Sequence, residues 1–346
     1  MTTEFNSIPS MHNKSRCAGA ARFLAAASCT LLLILAVAPD TLAQTPTMIV
    51  MRAIHVRAKR GDNSTPLPPL SPADVAQIKI GGKVAPVVSF TPLLNGPHVL
   101  QLMVLLDSEQ MLGANGQFDD LEPFLHSMPS NVEIGLGWLL QGQVKVVQDF
   151  TTDRDQVYKK LIPQTREQAA NPKNVNGNPY ACLRYLASHW PDADPAKLRA
   201  VLMFTDGIIR SNSEPGGDLT NNPDASDAAL KLERGSIVPY PFFWQDPFPA
   251  VPIPSTAGRT PLGGQDLLSQ VVIDASGAAL YEGLFAPASL APLLRRLYSI
   301  LDSESVVTVN SPEKPGKFSN LDIKSTRDDI KIFAPDQVMT GNVPVK

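Results

Sequence analysis

Through the middle of this chain, short apolar runs of strand length take turns with longer runs whose apolar residues recur at helical spacing. Residues 99–106 are almost wholly apolar and end in Asp107, the pattern of a strand buried on both faces of a sheet. Residues 199–205 repeat that pattern and end in Asp206-Gly207. Between them, residues 132–140 and 144–150 form a hairpin around Gln141-Gly142-Gln143, and helices are predicted over 119–126, 153–161 and 179–190. A helix over 226–234 then leads into a strand over 237–243, a helix over 265–276, a short strand over 278–281 and an amphipathic helix over 289–301. The stripe of that last helix is Leu290, Leu293, Leu294, Leu297 and Leu301. Strands alternating with helices predict an α/β fold, a Rossmann-like doubly wound sheet with one antiparallel edge strand, in which ligands bind beyond the carboxyl ends of the strands.

The rhythm changes on both flanks. Residues 48–58 partly alternate, as a half-exposed strand does. Ser71-Pro72-Ala73-Asp74 reads as a capped turn, and residues 78–80 and 84–90 as the arms of a hairpin around Gly81-Gly82. After Asp302 short strands return at 306–309, 321–324 and 330–333. The expected organisation is a β unit over 44–95, the α/β domain over 96–302 and a C-terminal β extension over 303–346, free to pair with the N-terminal unit.

Composition adds a compartment and removes some partners. Lys14, Arg16 and Arg22 precede an apolar run over 23–38, and Thr41-Leu42-Ala43 offers a small-residue cleavage site, so residues 1–43 read as an export signal removed before Gln44. The run is shorter than the ~20 residues that span a bilayer, which argues against an uncleaved anchor, and no later segment is long and apolar enough to cross one. The mature chain is expected in the periplasm, at the cell surface or secreted. Cys17 and Cys29 leave with the signal, and Cys182 then has no partner for an intramolecular disulfide. A net charge of -3 without basic clusters argues against nucleic acid.

No catalytic constellation emerges, and the chain is expected not to be an enzyme. His55, His98, His126 and His189 are scattered, without zinc-ligand spacing. Pro261-Leu262-Gly263-Gly264 is followed by Gln265 where a phosphate loop needs lysine. Cys182 lies among apolar residues of a helix, where a packed thiol outweighs a nucleophile. Asp119 and Asp120 stand at a helix start, where the dipole accounts for them.

Several of these features occur in one order: Asp107 after the first core strand, the hairpin edge, Gly177-Asn178 opening a helix, and Phe204-Thr205-Asp206-Gly207. Preceded by Leu70-Ser71-Pro72-Ala73-Asp74-Val75, Gly81-Gly82-Lys83 and Val87-Val88-Ser89-Phe90, they resemble the von Willebrand factor type A domain family, in particular its exported form known from Acidobacteria. The resemblance implies a protein-interaction or adhesion module whose partner is another protein. It also implies a metal-ion-dependent adhesion site built from an aspartate, two hydroxyl residues, a threonine and a second aspartate. Here Glu109 and Met111 replace the two serines and Asn178 the threonine, so Asp107 and Asp206 alone keep the pattern. The implied site is degenerate, with Asp107, Glu109, Asn178 and Asp206 as oxygen donors to Mg2+ or Ca2+, while the Met111 thioether is a poor match to such hard cations. The alternative is that the two aspartates persist as helix caps or loop braces.

Independently of the resemblance, the proline-studded stretch over 239–261 carries Tyr240, Phe242, Phe243, Trp244 and Phe248, suited either to a rigid partner-contact loop or to a packed cover over the core. Other functional classes left open are a metal-free structural scaffold of the envelope and a carboxylate-based hydrolase at the same face.

Overall fold

The computed structural model describes residues 45–57, 66–107, 117–161, 178–209, 223–244, 261–283 and 285–341. The expected signal over 1–43, Glu109, Met111 and Phe248 lie outside the described residues. Strand β1 (Thr45–His55) is followed by a 3-10 turn (Pro72–Asp74), β2 (Val75–Ile80), β3 (Lys83–Val84) and β4 (Val87–Pro92). The body comprises β5 (Leu100–Asp107), α1 (Leu121–Ser127), β6 (Val132–Leu140), β7 (Gln143–Thr151), α2 (Arg154–Lys160), α3 (Pro179–Ser188), β8 (Leu198–Thr205), α4 (Pro223–Arg234), β9 (Ile237–Trp244), α5 (Pro261–Asp274), β10 (Tyr281–Gly283) and α6 (Ala291–Ser303). The chain closes with β11 (Ser305–Ser311), β12 (Phe318–Ser325), β13 (Ile330–Phe333) and β14 (Gln337–Met339).

The body is a six-stranded sheet in the order β10-β9-β8-β5-β6-β7, parallel except for the antiparallel edge strand β7. Because side chains alternate across a strand, each central strand feeds two cores. Leu102, Val104 and Leu106 of β5 and Leu202 and Phe204 of β8 pack with α1, α2 and α6 on one face. Met103, Leu105, Val201 and Met203 pack with α3, α4 and α5 on the other. Helices on both faces make this the expected doubly wound α/β sheet.

The two flanking segments form one β structure. Strand β1 pairs antiparallel with β11 from Thr45↔Ser311 to Met51↔Ser305, and β2 pairs with β12. The two resulting four-stranded sheets, β13-β1-β11-β4 and β14-β12-β2-β3, share a core that includes Ile49, Met51, Ile78, Ile80, Val307 and Val309. The second arm of the expected hairpin is split between the sheets. Pro86 has no N–H for a ladder, and its carbonyl instead accepts from Asn310 N at 2.9 Å, carrying the chain from β3 in one sheet to β4 in the other.

A buried ionic cluster ties this β structure to the body. Arg52 of β1 donates to Glu304 Oε1 at 2.9 Å and to the Gly277 carbonyl at 2.9 Å, and stacks 4.5 Å above the Phe333 ring. The Tyr240 hydroxyl donates to Glu304 Oε2 at 2.7 Å. Burial pushes the Glu304 carboxyl up from its usual range, against the opposing pull of Arg52 and Tyr240.

Candidate functional site

The direction of sheet growth reverses between β5 and β8. The chain adds β6 and β7 on one side and returns to build β8, β9 and β10 on the other, which places a switch point at the carboxyl ends of these two strands. Asp107 is the last residue of β5, one step beyond the Leu106↔Phe204 pair, and therefore stands beside Thr205 of β8. The Thr205 hydroxyl donates to Asp107 Oδ2 at 3.1 Å and accepts from Gly207 N at 3.2 Å. Asp206 Oδ1 accepts from Ile208 N at 3.0 Å, closing a turn that continues through Gly207 at φ +64°, a left-handed conformation that favours glycine. The two aspartates are thus brought to neighbouring strand ends, and both are buried, at 0% and 2% exposure.

Helix α3 faces this pair. Tyr180, fully buried, donates its hydroxyl to the Gly207 carbonyl at 3.0 Å. Burial, reinforced by the charge of Asp206, pushes its phenol well above the usual range. Burial, reinforced by the charge of Asp107, likewise pushes the Cys182 thiol up to about 12. A thiol held that firmly protonated is not a nucleophile at neutral pH.

Asn178 does not offer its oxygen to this pair. It is the N-cap of α3, and its Oδ1 accepts from both Tyr180 N at 3.0 Å and Ala181 N at 3.1 Å. An amide oxygen has two lone pairs, and both are engaged by its own helix. Its Nδ2 donates to Asp224 Oδ2 at 2.6 Å, and Asp224 is in turn paired with Arg184 at 3.1 Å. The expected metal ligand is therefore a brace between α3 and α4. Among the described residues no group of three or more His, Cys, Asp or Glu is arranged to hold a metal ion. Of the four expected oxygen donors, Asp107 and Asp206 stand together at the rim, Asn178 is engaged by its own helix, and Glu109 lies outside the described residues.

Four of the five aromatic residues expected at a partner contact lie inside the body. Tyr240, Phe242, Phe243 and Trp244 belong to β9, a central strand, and all four are buried. Phe242 stacks on Phe204 at 4.9 Å between ring centroids and Trp244 meets the same ring edge-on at 6.1 Å, whereas Phe243 points into the opposite core. The Pro239 and Pro241 carbonyls accept from Ala278 N and Leu280 N.

Three residues that organise the rim were not singled out from sequence as site residues. Thr205 was visible inside the Phe204-Thr205-Asp206-Gly207 run but carries no signal of its hydroxyl's target. Tyr180 reads as an ordinary apolar-face position of a helix. Asp224 lies 46 residues from Asn178, beyond any local pattern.

No protein-family model and no curated protein sequence matches this chain. Among solved structures, the chain is similar to the SpRpn10 VWA domain, with 11% identity over 57% of this chain and 95% of that one and a TM-score of 0.35. The PilB minor pilin from Streptococcus sanguinis shows 13% identity over 60% of this chain and 61% of that one, with a TM-score of 0.35. The pilus adhesin SpaC from Lactobacillus rhamnosus GG shows 10% identity over 82% of this chain and 50% of that one, with a TM-score of 0.40.

Proposed function

We propose that this chain is an exported, non-enzymatic protein-interaction module that engages another protein at the carboxyl-end rim of its central sheet, without a resident cation. The observation that supports this reading is the junction of Asp107, Thr205 and Asp206 at the switch point, where the Thr205 hydroxyl ties Asp107 to β8 and Asp206 closes the turn that follows it. In this reading the aspartates act as braces that hold the rim loops in a binding shape, and the contacts to the partner come from what those loops present. The reading as a module of this class rests on the family resemblance, since fold alone does not select a function.

The test compares the wild-type chain with Asp107→Ala and Asp206→Ala as bait for exported proteins, with circular dichroism as the check on folding. Partners retained by the wild type and lost from both folded variants support the rim as the contact surface; equal retention by all three places it elsewhere. Calorimetric titration with Mg2+ and Ca2+ addresses the cation separately: no saturable heat is expected, and saturable heat abolished by Asp107→Ala would restore a cation-dependent module.

A further inference from the structure

At the opposite end of the sheet from the rim, the amino ends of β8 and β9 do not close against the β structure. Between them lies a cavity of about 250 Å³. Met48 and Val50 of β1, Val238 of β9 and Val338 of β14 contribute apolar wall, and Arg199 and Glu233 bring charge.

The charges on this cavity are unevenly matched. Lys197 is neutralised by Glu133 at 2.9 Å and Asp192 at 2.8 Å. Arg234 is exposed and lies over the Phe318 ring. Arg199 is held differently: its Nη2 donates to the Asp192 carbonyl at 3.2 Å, its guanidinium lies 5.7 Å from the Trp190 ring centroid, and the charges of Asp192 and Asp194 act on it through space without a direct ion pair among the described residues. Its Nε is buried with no acceptor. A shielded guanidinium N–H without an acceptor is costly, and guanidinium geometry matches a carboxylate.

Glu233, at the end of α4, is the carboxyl that lines the cavity beside Arg199. Its Oε1 accepts from Gln337 N at 3.1 Å. Burial, joined by the charges of Asp336 before β14 and Asp274 at the end of α5, pushes its carboxyl up to about 7. Below that pH it is mostly a neutral hydrogen-bond donor rather than a repelling charge.

We infer that this cavity is a binding site for a small amphiphilic carboxylate, its anionic head set against Arg199 and Glu233 and its short apolar body against the walls shared by β1, β9 and β14. The site lies away from the Asp107 rim, so its success or failure is independent of the function proposed above.

Hexanoate is the probe, titrated calorimetrically into the full chain at pH 6 and pH 8, with hexan-1-ol as the uncharged control. Saturable binding of hexanoate but not hexan-1-ol is expected, about tenfold weaker at pH 8 because the protonated fraction of a group titrating near 7 falls by about that factor. Arg199→Gln is expected to abolish binding, and Glu233→Gln to retain it with the pH dependence gone. Absence of saturable heat in the wild type overturns the inference, as does hexan-1-ol binding as tightly as hexanoate, or undiminished binding in folded Arg199→Gln. Should Arg199→Gln not fold, the wild-type pH pair and the alcohol control decide the matter without it.

Discussion

Arg52 and Glu304 lie 252 residues apart, yet their ion pair is buried at the joint between the body and the β structure. A buried ion pair adds little net stability, but removing one partner strands the other charge in a low-dielectric interior. Arg52→Ala is therefore expected to cost about 3–5 kcal/mol in urea unfolding, and Arg52→Ala combined with Glu304→Leu to recover much of that loss. A single-variant cost under about 1 kcal/mol would show that the cluster is solvated or dispensable. Gly277 belongs to the same joint: a Cβ there would sit 1.9 Å from the Pro239 carbonyl oxygen, so only glycine lets its own carbonyl approach Arg52. Cys182 is a case in which the residue's role was legible from sequence, because an apolar helical neighbourhood both buries a thiol and keeps it protonated.

At the scale of elements, helix ends are where sequence reading and structure part company. Asn178 caps α3, and replacement of such a cap by alanine removes acceptors from two backbone N–H groups. Asn178→Ala is expected to destabilise the protein by about 1–2 kcal/mol, with Asn178→Ser losing much less, as read by denaturant midpoints. Equal stability of the wild type and the alanine variant would argue against the capping role. Asp120 shows the same physics across space. Its carboxylate stands at the start of α1, but it accepts from Ser289 Oγ at 2.7 Å and from Leu290 N and Ala291 N, so it serves the amino end of α6 instead. Its carboxyl is held below the usual range by the Ser289 hydroxyl first and by those backbone N–H groups. Helix α5 ends through Ser276 at φ +55°, with Gly277 N donating to the Val272 carbonyl at 2.7 Å, a left-handed stop of the kind usually assigned to glycine.

For the whole molecule, the seam between the α/β body and the β structure holds a carboxyl that titrates near neutrality. Glu233 titrates near 7 when folded and nearer 4.3 when unfolded, so the folded state holds its proton more tightly. Its contribution is fully present below the unfolded value and is lost as pH rises through about 7. Glu233→Gln keeps an acceptor for Gln337 N without the charge, and is expected to raise the melting temperature at pH 8 while leaving it nearly unchanged at pH 4. A variant that melts with the wild type at both pH values would show that the carboxyl is solvated.

Within the body, order and type of the elements were readable because the central strands are largely apolar runs and helices such as α4 and α6 are amphipathic, signals set by the sheet's two covered faces. The flanking strands were readable as strands for the same local reason. What no local pattern contains is which groups meet across space. The crossing at Pro86, the pairing of β1 with β11, the aromatic face of β9 turned inward against Phe204, the engagement of Asn178 by its own helix, and the cavity at the amino ends of β8 and β9 all depend on contacts between segments far apart in the chain. Periodicity is a property of neighbours in sequence and so determines elements; burial of a particular polar or aromatic group is a property of neighbours in space, and only the folded chain decides it.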